Sequence, residues 1–168
     1  SDVYITPCGG TKNMGYIASL FLGQKVRPVV LLDSDAAGRA RFTSLAEQLY
    51  SSREKALLML SESTGKKDCE VEDLIGEAIL LPAVGKLIGQ ALTIEAADRG
   101  PGTTLPDQIS AAAKRLAIPL PDGWKAEIAR ALALEWSTTE PKRFPTDLAD
   151  RASALFKAIN ERFAEAKA

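Results

Sequence analysis

The chain has 168 residues, 46% of them hydrophobic and 26% charged, with a formal net charge of −1, the profile of one ordinary globular domain. That balance disfavours simple electrostatic capture of nucleic acid, and no apolar run approaches the roughly 20 residues needed to span a bilayer. The absence of histidine removes Ser-His-Asp and Cys-His triads and histidine-based zinc sites, and two distant cysteines, Cys8 and Cys69, suit a reducing, cytoplasmic setting.

In chain order, residues 3–6 (VYIT) read as a short strand closed by Pro7 and the Gly9-Gly10 pair, and residues 12–22 as a helix stopping at Gly23. PVVLL, 28–32, is a continuous aliphatic run typical of a strand buried on both faces. A helix over about 36–50 follows, with Phe42, Leu45, Ala46 and Leu49 on one stripe, and then a strand at 56–60 (ALLML). This β-α-β-α-β order predicts an α/β fold, a parallel sheet flanked by helices.

From Val71 onward the pattern is helical, with helices expected at 71–78, 83–97, 107–116, 123–136 and 146–166, broken by RGPGTTLPD and IPLPDG. In the last helix Leu148, Ala152, Leu155, Ile159 and Phe163 share a face. The expectation is a single domain over 1–168 with a helical insertion at about 79–122.

The chemistry concentrates at Asp33-Ser34-Asp35, where the apolar strand ends. Residues i and i+2 project to one side of an extended segment, so both carboxylates can converge at the carboxyl end of a parallel strand, where open α/β folds place ligands. Carboxylate oxygens there suit Mg²⁺, and two such close like charges repel unless a cation lies between them. The plainer alternative is that Asp35 caps the following helix and Asp33 is solvated. Gly38, in the first helical turn, costs roughly 1 kcal/mol against alanine and so calls for a compensating close approach, such as that of a substrate backbone.

VVLLDSDAAGR resembles the DxDxxG motif of the Toprim domain, and its wording is most similar to the overcoming-lysogenization-defect (OLD) nuclease family. Three further segments resemble that family in the same order: VYITPCGGTKN, the acidic CEVEDLIG at 69–76, and WKAEIARALA at 124–133. The resemblance implies a Toprim-type α/β domain that cleaves DNA phosphodiesters with Mg²⁺ or Mn²⁺ in a two-metal site. On it, Asp33, Asp35 and Glu72 are the expected metal carboxylates, with Glu70 as the near alternative, and Lys125 the expected lysine at the phosphate, with Lys142 as its rival. A Toprim domain ordinarily opens with a glutamate-bearing strand, and the family's ATPase carries a GxxxxGK[ST] loop; neither is in this sequence. The chain therefore reads as a C-terminal piece of an ATPase-nuclease, with DNA, an N-terminal ATPase domain and a second copy in a homodimer as expected partners and no membrane.

From the residues themselves each of these positions has a plainer reading. Glu70, Glu72 and Asp73 form an acidic first turn favoured by the helix dipole, and Lys125, bordering an inward stripe of Trp124, Ile128, Ala131 and Leu132, can snorkel to solvent. Gly10, Thr11 and Lys12 open a helix whose N-terminus could meet a DNA phosphate, Arg39 either contacts DNA or braces its helix, and Ser34 serves as a linker or else contributes a backbone or hydroxyl contact. Two competing functions stand beside the nuclease: a non-catalytic DNA-binding or assembly module, and a HAD-like phosphatase using Asp33 as nucleophile, from whose motif Ala36-Ala37 departs.

Overall fold

Two short aliphatic runs make the sheet. In the computed structural model, which describes residues 4–138, 140 and 144–165, β1 (Val30–Leu32) and β2 (Leu57–Met59) pair in parallel, with Val30 opposite Leu57, Leu31 opposite Leu58 and Leu32 opposite Met59. Helix α1 (Thr11–Gly23) precedes β1, and α2 (Ala36–Gln48) makes the crossover to β2. The sheet is buried because α1 and α2 cover it: Ala18, Val30, Leu32, Leu45, Tyr50, Ala56 and Leu57 form one apolar cluster. Each fully buried leucine there contributes about 1.5–3 kcal/mol against leaving it in water.

The strand expected at 3–6 does not form over residues 4–6; Val3 lies outside the described residues. Tyr4 and Ile5 are 86% and 74% exposed, so no buried face draws this segment to the sheet, and Pro7 beside it has no N–H to lend a ladder. Among the described residues the fold is therefore mostly helical, with a two-stranded parallel sheet.

After β2 come α3 (Ser61–Thr64), α4 (Val71–Ile75), α5 (Glu77–Ile88), α6 (Leu105–Arg115), α7 (Trp124–Ser137) and α8 (Thr146–Glu165). The helix expected over 71–78 is divided at Gly76, whose φ of 87° takes it out of the helical region, and Arg151 of α8 fills the gap by donating to the carbonyls of Leu74 at 2.7 Å and Ile75 at 3.3 Å. The helix expected over 83–97 lies instead at 77–88, because Gly89 adopts a left-handed cap at φ 73°.

Helices α5, α6 and α7 enclose a second cluster of Leu80, Val84, Leu92, Leu105, Ile109, Ala112, Ala113, Ile128 and Leu132. These three helices thus share a core of their own, and Arg115 of α6 is further fastened to Asp98 at 2.8 Å and Glu95 at 2.9 Å. On α7, Ala131 proves exposed, while Ile128 and Leu132 face inward as expected. A third cluster, Leu60, Cys69 and Leu74 with Leu31 and Leu155 packed against it, lies between the end of β1, α4 and α8. Among the described residues no helix is long and apolar enough to cross a membrane.

Gly38 explains how tightly α2 leaves the strand. A Cβ placed there would stand 1.9 Å from the carbonyl oxygen of Asp33. The expected close approach is therefore made by the chain's own backbone, not by a substrate. Because the obstacle is backbone, Gly38→Ala should cost about 3 kcal/mol of unfolding free energy, measured by urea denaturation; a loss below about 1 kcal/mol would mean that the strand-to-helix corner can open without penalty.

Candidate active site

The carboxyl end of β1, the first turn of α4 and the start of α7 meet through the Asp33–Val71 hydrogen bond and the Glu70–Lys125 ion pair. Ser34 fixes this meeting. It is 1% exposed; its N–H donates to the Cys69 carbonyl at 2.8 Å and its carbonyl accepts from the Cys69 N–H at 3.4 Å. Its hydroxyl accepts from the Ser61 N–H at 2.8 Å. Of the two roles open to Ser34, the contact is the one made: it ties the end of β1 to the start of α3 and to the segment that enters α4. Cys69 is wholly buried beside it and packs with Leu60 and Leu74.

Asp33 and Asp35 flank this anchor and do different work. Asp35 caps α2, its Oδ1 accepting from the Gly38 N–H at 2.6 Å. Asp33 turns toward α4, its Oδ1 accepting from the Val71 N–H at 3.2 Å. There it is half-buried among like charges. Burial, then Glu70 and Glu72, and last Asp35 push its carboxyl up from 3.8 to about 6, against a smaller lowering by the Val71 N–H. Glu72 is also pushed up, first by burial and then by Glu70 and Asp73, although its own backbone amide and Lys125 oppose this.

Glu70 sits between these acids and the Lys125 ammonium. One carboxylate oxygen pairs with the Lys125 ammonium, and the other accepts from the Thr104 hydroxyl at 2.8 Å. Burial alone would lower the Lys125 pKa; the Glu70 hydrogen bond and the charges of Glu72, Glu70 and Asp33 outweigh it and raise it, so the ammonium stays charged. Asp73 is structural: one carboxylate oxygen accepts from the Glu70 N–H at 3.0 Å, and both lie 3.3 Å from the Leu105 N–H.

Of the expected site residues, Asp33, Glu70, Glu72 and Lys125 come together, with Asp35 at the edge. Arg39 is a brace: it donates to the Ser34 carbonyl at 2.7 Å and the Lys67 carbonyl at 3.3 Å, and pairs with Asp68 at 2.6 Å. Gly10, Thr11 and Lys12 open α1, and among the described residues no hydrogen bond or ion pair joins them to the acidic group. Lys142 lies outside the described residues. Thr104 is a site residue that the apolar periodicity of the sequence does not mark, because it lies in the TTLPD segment between helical stripes. Its signal was a capping pattern, a threonine three residues before Asp107 with a proline in the first turn.

The donor set is all oxygen, which suits Mg²⁺ or Mn²⁺. Among the described residues no three carboxylate or cysteine side chains stand close enough to enclose an ion. A closed cage is therefore not built here. The site fits an ion that keeps most of its waters and takes one or two protein carboxylates, as Mg²⁺ commonly does, and Asp33 and Glu72 are the pair whose charge is least compensated.

No protein-family model, curated protein or solved structure matches the chain.

With its pKa raised from 3.8 to about 6, Asp33 holds a proton more tightly in the native state than in the unfolded chain. Its contribution is least harmful below the unfolded value, and stability falls as pH climbs through about 6. Asp33→Asn keeps the oxygen facing Val71 and discards the charge. It should raise neutral-pH stability by about 1 kcal/mol after allowance for solvent screening and flatten that decline in urea titrations across pH. An unchanged pH slope would contradict the crowding of these acids.

Proposed function

We propose that the chain is the Toprim-type nuclease part of an OLD-like ATPase-nuclease, and that it hydrolyses DNA phosphodiesters with Mg²⁺ or Mn²⁺. The observation that carries this reading is the concentration of Asp33, Glu70 and Glu72 at the end of a parallel strand beside the ammonium of Lys125. Such a surplus of negative charge in a half-buried site is costly in isolation and favours a divalent cation. The parallel β1–β2 pair with its α2 crossover supports a Toprim-type sheet.

In this mechanism Asp33 and Glu72 would hold the cation, which would supply Lewis-acid polarisation of a phosphate oxygen and a lowered pKa for the attacking water. Lys125, kept charged by Glu70, Glu72 and Asp33, sets a positive charge beside the phosphate and offsets the charge that develops on it. Asp35 and Gly38 keep the corner rigid, so that the carboxylates need not reorganise as the phosphate arrives. DNA is the substrate, and the ATPase domain and a second copy are the partners of the same proposal.

A DNA-binding or assembly module without catalysis is the second reading, favoured by the lack of a preassembled three-acid group among the described residues. Nicking of supercoiled plasmid with Mg²⁺ or Mn²⁺ separates the two. Metal-dependent nicking that falls at least about 100-fold in Asp33→Ala and by a similar factor of about 100 in Lys125→Met is expected. Metal-independent DNA binding with no nicking in either ion would favour the module instead.

A further inference from the structure

The Lys125 ammonium is held through a chain of bonds that begins in the helical insertion. Thr104 is 2% exposed and caps α6. Its hydroxyl oxygen accepts from the Asp107 N–H at 3.3 Å, and the Asp107 carboxylate returns to the Thr104 N–H at 3.1 Å. A hydroxyl has one proton to give, and here Glu70 receives it at 2.8 Å. The remaining Glu70 oxygen takes Lys125. The order is therefore fixed: the α6 amide, the Thr104 hydroxyl, the Glu70 carboxylate, the Lys125 ammonium.

We propose that Thr104 is a positioning residue of the acidic site, setting through Glu70 where the Lys125 ammonium stands. Glu70 then serves the lysine, with both oxygens engaged, while Asp33 and Glu72 are left to face substrate and cation. The geometry favours this division, because rotation of Glu70 toward Asp33 would break a part-buried hydrogen bond and an ion pair together. A side-chain hydroxyl is well suited to the task, since it can give a proton to the carboxylate while accepting one from the helix. The catalytic consequence rests on the nuclease reading; the positioning itself does not.

Thr104→Val keeps the side chain's shape and removes the proton, and Thr104→Ser returns it. The direct readout is the Nζ signal of Lys125 in ¹⁵N-lysine-labelled protein at one fixed pH, with the amide spectrum reporting the fold. In Thr104→Val that signal should move toward the position of exposed lysines, and in Thr104→Ser it should return to the wild-type position. In the plasmid assay Thr104→Val should lower kcat by about tenfold with KM for DNA unchanged, and serine should restore it. If Thr104→Val fails to fold, Glu70→Gln provides the same readout and should also release Lys125. A wild-type Lys125 signal in folded Thr104→Val or Glu70→Gln would overturn the proposal. If the wild type does not nick DNA, the nuclease reading fails while the Lys125 signal still decides this one.

Discussion

The paired backbone hydrogen bonds between Ser34 and Cys69, with the Ser34 hydroxyl on the Ser61 N–H, are the constraint from which the acidic site follows. They hold the end of β1 against the segment leading into α4. Asp33 is the residue before this anchor and Glu70 the residue after Cys69, so the same contact that closes the small core of Leu60, Cys69 and Leu74 also drives the carboxylates together. Arg39 reinforces it from outside by holding Asp68 and the Ser34 and Lys67 carbonyls. Removing the Ser34 hydroxyl would leave a half-buried amide without its partner, at a cost of about 1–3 kcal/mol.

That arrangement concentrates more negative charge than it compensates. Asp73 and Asp35 are spent on backbone amides of the helices they cap or join. Glu70 is spent on Thr104 and Lys125. What remains is Asp33, pushed up to about 6, and Glu72, pushed in the same direction, each by burial first and then by its neighbours. Structural acids in folded proteins are ordinarily satisfied by amides or cations; a pair left with raised values in a half-buried corner marks a place where ligand, proton or ion is expected.

The sequence made some of this plain for local reasons. VVLL and ALLML are apolar on both faces, and they form the parallel pair; the stripe Phe42, Leu45, Ala46 and Leu49 predicts α2, and the face of Leu148, Ala152, Leu155, Ile159 and Phe163 predicts α8, where all five are half-buried. Local pattern misled at VYIT, whose β-branched composition has no buried partner over residues 4–6, and at Gly89, which ends α5 where periodicity ran on. Gly38 was legible as a demand for close approach, but only the fold shows that the approaching group is the Asp33 carbonyl. Ser34 and Thr104 were opaque for one shared reason. Their hydroxyls act on Ser61 and Glu70, far along the chain, and a single sequence without a fold gives no sign of such partners.

The central claim is that Asp33 and Glu72 jointly receive a divalent cation while Glu70 stays with Lys125. Paramagnetic broadening by Mn²⁺ of side-chain carboxylate ¹³C signals tests it most directly, since it reports ion proximity whether or not DNA is cut. The account predicts that substoichiometric Mn²⁺ broadens Asp33 and Glu72 first, that Asp147, paired with Arg151 at 2.7 Å, is untouched, and that excess Mg²⁺ reverses the effect. Equal, weak broadening across all surface carboxylates, with Asp33 and Glu72 no different from the rest, would contradict it.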